Sequence, residues 1–200
     1  PLLGLFAVEF SVAPAVAGSL MTAAMLPLAI APLVYGLFLT KRNPLFILRI
    51  AMLLLGGCCL LFVYAPTFEL LLLVRFLQGL ILPAALTAMT SYIGMSFSAD
   101  TLQKNMTIYI GSTIVGGYFG RVLAAIFSDI WHWQSFYYFI ATMLILLAWS
   151  IPHTRFKSNN VKSILSPLDY IKQLREGPLL KVYGAVFCMF FCFAALLNYL

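Results

Sequence analysis

The chain of 200 residues has 12 lysines and arginines against 6 aspartates and glutamates, and 63% of its residues are hydrophobic. Charged residues make up only 9% of the chain, against about a quarter in soluble domains, so a soluble globular protein is excluded. Lipid is the solvent that this composition fits, because a helix of about 20 apolar residues spans the roughly 30 Å hydrocarbon core of a bilayer.

Apolar segments predict spanning helices in chain order. Residues 1–8 indicate the end of a first span, so we expect the chain to be a fragment. Further spans are predicted at 16–39, 45–65, 68–95, 105–128, 133–151 and 179–200. Short links such as Lys41-Arg42-Asn43-Pro44 and the polar stretch 96–104 place neighbouring helices antiparallel. The predicted fold class is therefore all-α, a polytopic membrane helix bundle.

The longest polar stretch, residues 152–178, divides the predicted domains. Residues 1–151 form an amino-terminal bundle, 152–178 a cytoplasmic linker and 179–200 the first span of a carboxy-terminal bundle. Within the linker, Ser166-Pro167-Leu168-Asp169 has the pattern of a helix start and Gly177-Pro178 that of a stop. A short helix lying on the membrane surface is predicted there.

The distribution of lysine and arginine predicts the orientation. Loops 40–44, 96–104 and 152–178, with their flanks, contain ten of the twelve basic residues, whereas the loops on the other side contain none. Positively charged loops stay cytoplasmic during insertion, so these three loops are predicted to face the cytoplasm. Because topology explains the basic residues, no nucleic-acid partner is predicted.

Motifs for catalysis or metal binding are missing from the sequence. Neither histidine has zinc-type spacing with the cysteines, and there is no HExxH, phosphate loop or intramembrane aspartate pair. The cysteines all lie in apolar runs, where packing thiols are the simplest interpretation. We therefore predict no enzyme, no cofactor and no metal.

Arg75 and Arg121 lie within predicted spans, where a charge costs about 2.5–3.5 kcal/mol on insertion scales. Each is about eight residues from the outer end of its helix, roughly 12 Å deep at 1.5 Å per residue. Such residues are normally kept for a pathway or a partner. The alternative is that each reaches outward to the interface or bonds a backbone carbonyl as a structural clamp.

Small residues recur every four positions along the fifth span and allow close helix approach. Either static packing or a surface that rocks would explain this stripe, which consists of Ser112, Gly116, Gly120, Ala124 and Ser128, with Gly117 beside it.

These features together resemble the major facilitator superfamily. Arg75-Phe76-Leu77-Gln78-Gly79 fits the RxxQG pattern of its fourth helix, in which the arginine of proton-coupled antiporters is associated with proton coupling. The run Gly116-Gly117-Tyr118-Phe119-Gly120-Arg121 is similar to the glycine-rich fifth helix of the drug/proton antiporter branch. Asn198-Tyr199 resembles part of the seventh helix of bacterial inner-membrane efflux proteins in this superfamily, where polar residues face the cavity.

The loop after the second span departs from the superfamily pattern GxLaDrxGRR. Gly36, Lys41 and Arg42 remain as the remnant of that motif, but Thr40 and Asn43 stand at the aspartate and second glycine positions.

The resemblance implies one half of a twelve-helix secondary transporter that alternates access between its halves. It implies proton-coupled efflux of small organic compounds across a bacterial inner membrane, with Arg75, Gln78 and Gly79 at the coupling site. Arg121, Asn198 and Tyr199 are candidates for substrate or partner contact. The implied partners are a small-molecule substrate, protons, the lipid bilayer and the remaining half of the same transporter.

Two other functions stay open from the residues. Two arginines at one depth without neighbouring carboxylates would suit proton-coupled uptake of an anionic metabolite. The altered loop after the second span leaves room for a non-transporting membrane scaffold or sensor.

Overall fold

The computed structural model describes residues 3–38 and 43–151, together with Ala185 and Cys188. In residues 3–151 the described elements are all α-helices, which confirms the predicted all-α fold class. In chain order they are α1 (Leu3–Glu9), α2 (Pro14–Phe38), α3 (Pro44–Val63), α4 (Phe68–Ser96), α5 (Ala99–Ile130) and α6 (Trp133–Ser150). The predicted linker at 152–178 lies outside the described residues, and of the seventh span only Ala185 and Cys188 are described.

The starts of α3 and α4 follow from side chains that cap them. Asn43 Oδ1 accepts a hydrogen bond from the backbone N–H of Leu45 at 3.0 Å, and Pro44 occupies the first helical position, where its missing N–H costs nothing. Thr67 Oγ1 accepts from the backbone N–H of Leu70 at 3.3 Å. The proline-containing links of the sequence are therefore helix starts as well as breaks.

The prediction of a polar loop over 96–104 is wrong for most of its length, because α5 already begins at Ala99. Ser98 has an extended backbone, and its carbonyl accepts from the backbone N–H of Leu102 at 2.9 Å. Asp100 lies in the first turn, where a negative charge interacts favourably with the helix dipole. The helix thus continues through polar residues that lie beyond its apolar stretch.

Four of the described helices, α2 to α5, are long and apolar enough to cross a membrane. The chain is therefore a membrane protein. The 18-residue α6 is not among the four and has Gln134 and Ser135 in its first turn, so its predicted span stays a prediction. Many large apolar side chains point outward from the bundle, as expected where lipid is the solvent; examples are Phe46, Leu61, Ile114 and Leu146, each more than half exposed.

Within the described residues, α4 is central to the packing. It packs against α2 and α3, and α3 also packs against α6. The least buried of the four long helices is α5, with 6% of its apolar stretch buried against 33% in α3. The helices α2 and α4 approach closely at Gly79, where an added Cβ would lie 2.2 Å from the Ala24 carbonyl oxygen.

Candidate functional site

Arg75 lies on α4, seven residues after the helix begins at Phe68, which is about 10 Å along the axis. The end of the bundle at which α4 and α6 begin is called here the outer end, following the predicted orientation. Helical side chains lean toward the N-terminus of their helix, so the Arg75 side chain leans toward the outer end. It is half-buried there between α3 and α6.

The Arg75 guanidinium is held by neutral groups. Its Nη1 donates to Gln78 Oε1 at 3.1 Å, and its Nη2 donates to the Tyr137 hydroxyl at 2.5 Å. Its Cζ lies 4.5 Å from the centre of the Phe62 ring and 5.7 Å from that of Tyr137. Both distances are within the range of cation–π attraction. Three helices therefore meet at this one charged group.

Four aromatic residues from three helices form the support under Arg75, and we call them the aromatic cluster: Phe6, Phe62, Trp133 and Tyr137. The Phe62 and Tyr137 rings stack with centroids 4.7 Å apart, and the Trp133 ring meets that of Tyr137 edge-on at 5.8 Å. Phe6 and Phe62 are 1% and 0% exposed. Because packed rings have few alternative positions, the cluster fixes the place of the Tyr137 hydroxyl.

Glu9 joins α1 to the other side of the aromatic cluster. The Trp133 indole N–H donates to Glu9 Oε2 at 2.6 Å, and the Phe6 and Trp133 rings meet edge-on at 5.0 Å. Glu9 is exposed, whereas Trp133 is 8% exposed. The carboxylate thus satisfies the one polar atom of a buried indole at the outer end of the bundle.

Gln78 and Gly79 follow Arg75 on α4 and contact the neighbouring helices α3 and α2. Gln78 accepts from Arg75 through its amide oxygen, and its amide nitrogen donates a weak bond to Cys59 Sγ at 3.9 Å. Gly79 instead lies against a different helix, at Ala24 and Pro27 of α2. The three residues singled out from the RxxQG pattern therefore link α4 to α2, α3 and α6.

The charge of Arg75 has no carboxylate bound to it among the described residues. A guanidinium has five N–H donors, and the described part of the chain uses two of them, through Gln78 and Tyr137. The remaining donors of this half-buried group can bind water or an oxyanion. The arrangement can therefore hold a positive charge in the membrane and present it to a negatively charged group.

Arg121 is exposed on α5, nine residues before the helix ends at Ile130, and the described part of the chain gives it no hydrogen bond or ion pair. The two arginines lie at similar depths, about 10 and 13 Å from their helix ends. Their roles stay predictions. Lys41, Arg42, Asn198 and Tyr199 lie outside the described residues, and Gly36 lies near the end of α2.

The residues of the small-residue stripe of α5 do not share one environment in the structure. Cβ atoms added at Gly116, Gly117 or Gly120 would meet nothing within 4 Å, and Ser112 is exposed. Ala124 is 7% exposed and packs in the core. Close packing along the glycine part of the stripe therefore has no counterpart among the described residues and stays a prediction.

Two apolar clefts have Tyr35 in their linings, with volumes of about 240 and 300 Å³. The Tyr35 hydroxyl donates to the Leu80 carbonyl at 2.9 Å. Apolar linings of this kind suit hydrocarbon groups. The first is lined by Leu26, Pro27, Ile30, Ala31, Val34, Tyr35, Phe76 and Leu80, and the second by Tyr35, Phe46, Ile47, Ile50, Ala51, Leu54, Ile81 and Ala84.

Tyr137 and Phe62 were missed by the sequence analysis, as was the Glu9–Trp133 bond. A partial signal existed, because Trp133 and Tyr137 are four residues apart and so share one face of α6. Nothing in the sequence indicated that this face meets Arg75, which is 62 positions away from Tyr137.

A helical membrane bundle with a charged group held inside it defines a polytopic membrane protein, and comparisons with known proteins give its family. The family model described as Major Facilitator Superfamily matches residues 1–200. The chain therefore belongs to the Major Facilitator Superfamily, as its resemblance predicted.

Three curated bacterial relatives match the whole chain. It is 27% identical over 209 residues to an uncharacterized MFS-type transporter, YybF, of Bacillus subtilis, and covers 51% of that protein. It is 27% identical over 210 residues to an uncharacterized transporter of Buchnera aphidicola, covering 51%. It is 24% identical over 212 residues to the inner membrane transport protein YnfM of Escherichia coli, covering 49%.

The chain thus spans about half the length of these curated relatives. Their names point to a transporter rather than an enzyme. No solved structure matches the chain at a significant level.

Proposed function

We propose that the chain forms the amino-terminal half, and the seventh helix, of a secondary active transporter that exports small organic compounds in exchange for protons. The transporter works by alternating access in a bacterial inner membrane. Its partners are the small-molecule substrate, protons, the lipid bilayer and the remaining half of the same protein. The segments 40–44, 96–104 and 152–178 face the cytoplasm, in keeping with the rule that basic segments between spans stay inside.

The observation that supports this function most is the environment of Arg75. A charged group in a spanning helix is costly and is kept where it serves a pathway, and here it is held by Gln78, Tyr137 and Phe62 rather than by a carboxylate. Its charge is therefore not neutralised within the described bundle. Such a charge changes the affinity of the cavity for protons and for charged substrates as the two halves rock.

Proton-coupled uptake of an anionic metabolite is the second candidate. It is favoured by the fact that neither Arg75 nor Arg121 binds a carboxylate among the described residues. In that case an oxyanion of the substrate would bind the free N–H groups of Arg75. A non-transporting scaffold or sensor is the third candidate, because the loop after α2 lacks the usual aspartate.

Flux through the protein expressed from its complete reading frame distinguishes these functions. Purified protein in proteoliposomes is supplied with panels of cationic, neutral and anionic compounds under an imposed pH gradient. Proton-coupled export predicts accumulation of cationic or neutral compounds in the acidic compartment, opposite to proton flow. Accumulation of anions in the direction of proton flow would replace export by uptake. If no compound showed gradient-driven flux, a non-transporting scaffold or sensor would be the remaining candidate function.

A further inference from the structure

We propose that Tyr137 of α6 is a positioning residue for Arg75, which fixes the guanidinium on the α3–α6 side of α4 and so determines which donors are free for coupling. This inference rests on the proposed transport function. Tyr137 was not singled out by any sequence motif, and it belongs to a helix other than the one that carries Arg75.

The geometry gives Tyr137 two simultaneous contacts with one charged group. Its hydroxyl accepts from Arg75 Nη2 at 2.5 Å, and its ring centre lies 5.7 Å from the Arg75 Cζ. Hydrogen bonds that involve a charged partner are roughly twice as strong as neutral ones. The hydroxyl is therefore the strongest anchor of Arg75 outside its own helix among the described residues.

Tyr137 itself cannot follow Arg75 if the guanidinium moves. Tyr137 is 6% exposed, its ring stacks on Phe62 at 4.7 Å, and the edge of the Trp133 ring meets it at 5.8 Å. A close-packed ring with neighbours on two sides has one favourable rotamer. The hydroxyl is thus a fixed acceptor, and movement of α4 against α6 must stretch or break its bond to Arg75.

The other anchor of Arg75, Gln78, behaves differently because it lies on the same helix. Gln78 is three residues from Arg75 and moves with α4, so its bond persists whatever α4 does. Of these two hydrogen bonds, the one to Tyr137 depends on the relation between two helices. Arg75 therefore has one state bound to Tyr137 and another in which Nη2 is released for water, a carboxylate or the substrate.

The direct test is the chemical reactivity of Arg75 toward phenylglyoxal, measured by mass spectrometry on the protein expressed from its complete reading frame. Tyr137→Phe removes the hydroxyl and keeps the ring, so packing is retained. We expect it to raise the modification rate of Arg75 by about tenfold, the size expected for loss of a charged hydrogen bond. Tyr138→Phe is the matched control, since Tyr138 is 38% exposed and packs on Tyr64 instead. Equal rates in both variants would overturn the positioning role.

Transport measurements decide whether this position serves coupling. We expect Tyr137→Phe to slow pH-gradient-driven flux and change its pH dependence, and to have no further effect in an Arg75→Lys background. An equal loss in that background would assign Tyr137 a purely structural role and overturn the inference. Absence of flux in the wild type would instead refute the proposed function, while the phenylglyoxal rates would still report on the position of Arg75.

Discussion

Gly79 of α4 lies directly against the backbone carbonyl of Ala24 in α2. An added Cβ at Gly79 would be 2.2 Å from that oxygen and 2.6 Å from Cγ of Pro27, both far below van der Waals contact. Glycine is therefore required at this position by the approach of a neighbouring backbone rather than by its own dihedral angles. The glycine of the RxxQG pattern thus has a packing reason in this chain.

Gly79→Ala is expected to force α2 and α4 apart. Overpacking typically costs about 1–3 kcal/mol, and the cost is higher where backbone has to move. We predict less protein in the membrane and a lower unfolding temperature in detergent. Gly94→Ala on the same helix is the matched control, because nothing lies within 4 Å of a Cβ there. A Gly79→Ala protein as stable as the Gly94→Ala protein would show that the α2–α4 contact is looser than described.

Trp133→Phe removes the hydrogen bond between α1 and α6 while keeping an aromatic ring. The lost bond to the exposed Glu9 carboxylate, together with the smaller ring, should lower the free energy of unfolding by about 1–2 kcal/mol. Thermal unfolding in detergent measures the effect. Trp131→Phe provides the comparison, since Trp131 is 61% exposed and its ring meets that of Phe127 edge-on within the same stretch of chain. A larger loss from Trp131→Phe would contradict the assignment.

Tyr35→Phe removes the hydrogen bond to the Leu80 carbonyl, three residues before Pro83 in α4. This side-chain bond joins α2 to α4, so its loss weakens the contact between the two helices. We expect a loss of about 0.5–1.5 kcal/mol, read from chemical unfolding. Tyr118→Phe should change little, because Tyr118 is 66% exposed on α5. Equal stability of the two variants would remove the role given to Tyr35.

The predicted orientation is tested by single cysteines in a background without the four native ones. A cysteine at Lys104, in the first turns of α5, should be shielded from a membrane-impermeant thiol reagent in intact cells. A cysteine at Asp129, near the end of the same helix, should react. The reverse labelling pattern would invert the topology and place the Arg75 site in the inner half.

The helices could be predicted because lipid requires long apolar runs between polar links. The start of α5 at Ala99 could not, because Thr101 to Asn105 continue the helix through residues whose polarity is typical of a loop. Hydropathy indicates which residues lie in the hydrocarbon, whereas helix ends depend on capping and backbone geometry. The apolar stretch and the helix therefore end at different residues wherever a helix extends past the hydrocarbon.

Arg75 could be selected from the sequence because a charge in a spanning helix is expensive. Its contacts could not, since the bond to Tyr137 joins residues 62 positions apart. Which face of α6 turns toward α4 is determined by packing of side chains from α1 and α3 as well, including Phe6 and Phe62. Periodicity within one helix does not contain that information.

The most direct test of the account is a comparison of two fluxes in proteoliposomes with wild-type protein and with Arg75→Ala. One flux is driven by a pH gradient, and the other is exchange of labelled for unlabelled substrate without a gradient. If Arg75 serves coupling, Arg75→Ala should lose gradient-driven transport by about tenfold or more, the size of one charged interaction, and retain exchange. Equal rates to wild type in both assays, or an equal loss in both, would contradict a coupling role for Arg75.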